Sequence, residues 1–203
     1  MTDPSSSSPG FDLGEAADRL SRVVSGIRDD QLSAPTPCPD YTVGDLLEHV
    51  IGLTRAFTEA AAPVPPSDVG GHQPPAGDAA RLPADWRARL SRDLPALAHA
   101  WRQPGAWSGM RRAGGIDMPA EVAAVVAIDE IALHAWDLAV STGQDYEPDP
   151  ATLPVVQQFV ASFDDDNRAG LFGPAVTLPA PATRWDRVLG QAGRNPRWTS
   201  PGQ

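Results

Sequence analysis

Glu130 and His134 stand four residues apart in the run from Val125 to Leu138, whose other members are mostly apolar. On a helix that spacing stacks the two side chains on one face, with Cβ atoms roughly 5–6 Å apart. A carboxylate oxygen and an imidazole nitrogen so placed can reach one divalent cation at about 2.0–2.2 Å. A third donor is offered by His49, in the segment from Thr42 to Ile51, where an imidazole among aliphatic neighbours has little other reason to stand. Two histidines and a glutamate leave a coordination position open, the pattern of catalytic rather than structural zinc, and require donor atoms within about 4 Å of one another. The same set suits nickel, iron and manganese.

Other polar residues near these three are ambiguous. Asp129 and Asp137 flank the ligands and could orient His134 or His49 through hydrogen bonds, or lie solvated on the surface. Asp45, one turn before His49, is explained most simply as stabilising a helix N-terminus. Cys38 lies in a Pro-rich turn with no electropositive setting that would favour a thiolate, so it reads as an inert thiol. Trp101 and Trp136 read as core or cavity-wall aromatics. His72 and His99 have no partners at ligand spacing, and the run Asp164 to Asn167 lacks the central Gly and terminal Glu of a calcium loop.

Helices must position the three donors. Apolar residues recur at helical spacing from Phe11 to about Asp30, predicting the first helix. Three prolines between Pro35 and Pro39 forbid regular structure, and Thr42 with Asp45 forms a capping box that opens a second helix over Val43 to Ala61. Residues 62 to 84, rich in Pro and Gly, make a long crossover of the kind that often covers a functional surface. A third helix spans about Ala84 to Trp101, kinked or divided at Pro95. A short hairpin fits around Gly114-Gly115, after which Pro119 opens a fourth helix that runs to about Thr142 and stops at Gly143. A further helix over Leu153 to Phe163 and a helical turn near Trp185 to Leu189 complete the pattern. Four main helices with one crossover describe a bundle, which builds metal sites from facing side chains.

The bulk numbers narrow the class. At 203 residues with 41% hydrophobic residues, the chain suits one domain with a proper core. We divide it into a disordered polar leader over residues 1–10 and a single domain over 11–203. A net charge of −10 opposes binding to nucleic acid or to an anionic membrane. All sixteen basic residues are Arg, which excludes a Schiff-base lysine. With no run of 18 apolar residues and no signal peptide, a cytoplasmic protein is expected. The lone Cys38 excludes an internal disulfide.

Two blocks, Thr36-Pro37-Cys38-Pro39-Asp40-Tyr41-Thr42-Val43-Gly44-Asp45-Leu46-Leu47-Glu48-His49 and Glu130-x-x-x-His134-x-Trp136-Asp137-Leu138-Ala139, resemble the signatures of the DinB-like superfamily. The likeness is specifically to the mycothiol-dependent maleylpyruvate isomerase metal-binding domain and its short actinobacterial relatives. Leu171-Phe172-Gly173-Pro174 and Gly190 to Pro196 resemble the C-terminal blocks of that short branch. The resemblance implies an all-α, DinB-like four-helix bundle with a long crossover loop and a short C-terminal extension. It also implies a divalent metal, commonly zinc, on His49, Glu130 and His134, and a low-molecular-weight thiol such as mycothiol as partner. A coordinated thiol loses its proton and becomes nucleophilic at neutral pH. The resemblance therefore points to a metal-dependent thiol transferase or isomerase acting on a small electrophile. The full-length isomerases carry a further C-terminal domain, which is not expected in this chain. A non-catalytic metal- or ligand-binding bundle and a metal-dependent hydrolase stay open beside this reading, and a homodimer is compatible with it. Where the family has Gly-Trp in the turn before helix two, this chain has Asp40-Tyr41, so a local difference is expected there.

Overall fold

The computed structural model of the protein describes residues 11–62, 76–164, 166–168 and 170–200. The expected leader, His72 and the middle of the crossover lie outside the described residues. Helix α1 (Gly14–Gly26) buries Ala16, Ala17, Leu20, Val23 and Val24 along one stripe. It ends before the expected Asp30: Ile27 is extended, and Gln144 donates to the Val23 carbonyl at 3.1 Å, capping the last turn. A 3-10 turn over Asp29–Gln31 follows.

Helix α2 (Val43–Ala60) starts at the expected capping box. Asp45 N–H donates to Thr42 Oγ1 at 3.2 Å, and Thr42 N–H donates to Asp45 Oδ2 at 2.8 Å. Helix α3 (Trp86–Trp101) runs as one element through Pro95 rather than as two pieces. Pro95 deprives the Ser91 carbonyl of its donor, but both residues are exposed, so water replaces the bond. Leu90, Leu94, Leu97 and Trp101 are buried along the other face and hold the helix together.

The strands β1 (Met110–Ala113) and β2 (Ile116–Pro119) pair antiparallel and amend the all-α expectation. Gly114 and Gly115 between them have φ of 57° and 81°, the pair of positive values that a two-residue hairpin turn requires. Helix α4 (Ala120–Ser141) follows at once and is buried around almost its whole circumference from Ala127 to Ala139. Gly143, at φ 73°, ends the run.

Both α1 and α2 pack against α3 and α4, and the apolar core takes residues from all the helices. Two shorter helices continue from it: α5 (Thr152–Val160) lies on α4, and α6 (Arg184–Gln191) lies on α5. The molecule is thus mostly helical with one small two-stranded sheet. No described helix is long and apolar enough to cross a membrane.

Candidate metal centre

The structure brings His49 of α2 together with Glu130 and His134 of α4. One donor atom from each lies within 4.8 Å of the others. That is looser than the spacing of about 4 Å expected for ligation. His134 Nε2 is 3.0 Å from Glu130 Oε2, and the His49 and His134 rings meet edge to face at 5.2 Å between centroids. His134 is buried, whereas His49 and Glu130 are only partly covered, so the cluster opens outward on their side.

His134 is held from behind. Its Nδ1 lies 3.0 Å from Asp137 Oδ2, one turn further along α4, and Asp137 is fully buried. The same carboxylate is gripped by Arg194, whose Nη2 donates to Oδ2 at 3.0 Å and whose Nε donates to Oδ1 at 3.3 Å. The surface alternative for Asp137 is therefore excluded. Asp129 is buried as well, with Oδ1 lacking a hydrogen-bond partner among the described residues.

Electrostatics follow from this packing. Burial pulls the His134 imidazolium down, but hydrogen bonds and charge from Asp137 and Glu130 outweigh it and push the group up to about 9. Burial raises Asp137, yet Arg194 and His134 hold it below the ordinary carboxylate range. Glu130 is likewise lowered, its burial overcome by His134 and then by His49. Burial, followed by the charge of Glu130, lifts Asp129 well above the usual range. His49 is lowered by burial and by the charge of His134, so it is the neutral member of the pair. Its ring makes no hydrogen bond to the described residues; Tyr41 packs on it with centroids 5.7 Å apart.

The crossover braces α2 beside His49. Gly77 N–H donates to Tyr41 Oη at 2.8 Å, Ala79 N–H donates to Asp45 Oδ1 at 2.6 Å, and Asp78 N–H donates to Glu48 at 3.2 Å. Arg81 pairs with Glu48 at 3.1 Å. Asp45 thus caps its helix, as expected, and also fastens the crossover. Cys38 is half-buried; burial and then the charge of Asp137 push its thiol up to about 11, in keeping with an inert role. Trp101 and Trp136 are core residues. Exposed His99 meets Gln103, just past the end of its own helix. In the turn before α2, Asp40 adopts φ 71°, the left-handed conformation that Gly takes without strain, so the departure at this position keeps the turn.

Arg194 is the site residue that spacing does not reveal. It stands 57 residues beyond Asp137, and its sequence signals are its place in the Gly190 to Pro196 block and the glycine immediately before it at a helix end.

Comparison with known proteins agrees with this architecture. A crystal structure of the mycothiol-dependent maleylpyruvate isomerase shares the fold, with a TM-score of 0.56 at 17% identity over 73% of this chain and 66% of that one. A mutant of that enzyme, carrying alanine in place of a histidine, aligns with the same TM-score at 18% identity and the same coverage. The chain thus spans just under two thirds of the isomerase's length. Two uncharacterized proteins of Mycobacterium tuberculosis, from strains CDC 1551 / Oshkosh and ATCC 25618 / H37Rv, are each 32% identical over 137 residues, covering 66% of this chain and 68% of theirs. Residues 13–139, which carry all three donors of the cluster and Asp137, match the family described as the mycothiol maleylpyruvate isomerase N-terminal domain, and the chain belongs to that family.

Proposed function

We propose that this protein holds a divalent cation, zinc before nickel, iron or manganese, on His49, Glu130 and His134, and uses it with a small thiol in a transferase or isomerase reaction on an electrophilic small molecule. The family makes mycothiol the first thiol to test. We read residues 11–203 as one DinB-like domain built on a four-helix bundle. The observation that carries the proposal is the convergence of two imidazoles and one carboxylate at a partly open position, with His134 oriented from behind by Asp137.

The donor chemistry fits. Asp137 accepts the Nδ1 proton of His134, which leaves Nε2 as the nitrogen facing Glu130 and available to a cation. Burial and the charge of His134 favour the neutral form of His49, which has no hydrogen bond to the described residues to break. Glu130 contributes the single negative charge of the set, so a bound dication would keep one net positive charge with which to attract an anionic ligand. When bound there, such a cation supplies Lewis acidity that holds a thiol as its thiolate at neutral pH. The partly covered side chains of His49 and Glu130 leave an approach for that thiol, while Tyr41 and the braced crossover wall the His49 side. The hydrolase alternative needs a free general base; Asp137 is already committed to His134 and Arg194, and burial with the charge of Glu130 favours the protonated form of Asp129.

Calorimetry tests the reading with mycothiol as ligand. Binding is expected to the zinc-loaded protein, to disappear after chelation and in His49→Ala, and to return when zinc is restored to the unmutated chain. Thiol binding that survives metal removal would overturn the mechanism. Absence of thiol binding to the loaded protein would leave a metal- or ligand-binding domain without this chemistry.

A further inference from the structure

Arg194 lies outside residues 13–139, in the segment that follows α6, yet it reaches the back of the metal centre. Its path there is specified in detail. Helix α6 ends with Arg194 N–H donating to the Leu189 carbonyl at 2.8 Å and Gly193 N–H donating to the Gly190 carbonyl at 3.1 Å. Gly193 has φ 80°, and a Cβ on it would come within 2.9 Å of Gly173 backbone atoms, so the turn admits only glycine. Arg168 ties both sides of this contact, donating to the Gly173 carbonyl at 3.1 Å and to the Gln191 carbonyl at 2.8 Å. The chain that emerges aims Arg194 inward, where Nη1 donates to the Ala192 carbonyl at 3.0 Å and the other two nitrogens take both oxygens of Asp137.

We infer that Arg194 is a positioning residue of the metal centre, acting through Asp137 to fix the orientation of the His134 imidazole; the inference rests on the metal-binding reading above. A fully buried carboxylate gripped at both oxygens can present Oδ2 to His134 in one way only. Without the guanidinium, Asp137 is free to turn away, and His134 loses the acceptor that selects which ring nitrogen faces Glu130. The C-terminal segment therefore completes a site whose ligands all lie in the preceding helices.

The test uses the full-length metal-free chain, unmutated and as Arg194→Gln, Arg194→Lys, Asp137→Asn and the double variant Asp137→Asn/Arg194→Gln. Zinc affinity is measured by competition with a chromophoric chelator, and cobalt(II) absorption reports ligand geometry. Arg194→Gln should bind zinc about 10–100-fold more weakly and shift the cobalt spectrum, as loss of a partner behind a metal ligand does. In the Asp137→Asn background the same change should alter affinity by less than about twofold, because the two residues act as one unit. Unaltered affinity and spectrum in Arg194→Gln would make the pair a structural pin and overturn the inference, whatever the thermal midpoint does. Should Arg194→Gln fail to fold, Arg194→Lys decides: a several-fold loss is expected, and behaviour like the unmutated chain overturns the inference. Failure of the unmutated chain to bind zinc or cobalt would remove the metal reading and this inference together.

Discussion

His134 faces an acceptor at each nitrogen: Asp137 at Nδ1 and Glu130 at Nε2. In the metal-free protein its group is pushed up to about 9 by those partners, against the pull of burial, so it carries both protons at neutral pH. A cation at Nε2 must displace one of them. His49, whose group is lowered by burial and by the charge of His134, brings none. Zinc binding at pH 7 should therefore release about one proton, and affinity should rise about tenfold per pH unit toward pH 9, since protons and metal compete for one nitrogen. Calorimetry in buffers of different ionisation enthalpy counts that proton. A release of none, or an affinity flat between pH 7 and 9, would show that His134 does not give up its Nε2 proton to the cation.

Among the elements, the crossover segment after residue 75 does more than connect. A Cβ at Gly77 would clash with the Asp45 carbonyl oxygen and stand 3.0 Å from His49 Cβ, so the segment lies directly on α2 at the level of His49. Gly77→Ala should push it away, loosening the bonds to Tyr41 and Asp45, at a cost of about 1–3 kcal/mol. Denaturant unfolding measures that loss, and a zinc titration of the same variant should show weaker binding because His49 loses its brace. Stability and affinity both unchanged would mean that the crossover is not seated as described. The elements that were legible in the sequence are those with local signals: the Thr42 and Asp45 cap, the Gly114-Gly115 turn and the Gly143 stop. At Pro95 the sequence leaves a kinked or a divided helix open, and α3 runs on as one element, held by the buried leucines of its opposite face. The end of α1 escaped because tertiary context decides it. Helix α1 stops early since Gln144, distant in sequence, caps the Val23 carbonyl.

At the scale of the whole molecule, the apolar core draws on every helix, while His49 and Glu130 of the donor cluster are only partly covered. The candidate ligands were legible because two lie one helical turn apart and the third is isolated among aliphatic residues. Asp137 could be nominated but not placed, and Arg194, though it lies in the Gly190 to Pro196 block, could not be tied to the site, because the fold alone brings a C-terminal turn against α4. The central claim is that His49, Glu130 and His134 share one cation, and anomalous diffraction at the zinc absorption edge, from crystals of the metal-free protein soaked with zinc, tests it most directly. The account predicts one strong peak about 2.0–2.2 Å from a ring nitrogen of His49, a carboxylate oxygen of Glu130 and Nε2 of His134. No peak there, or a peak on other side chains while these three stay unliganded, would contradict it.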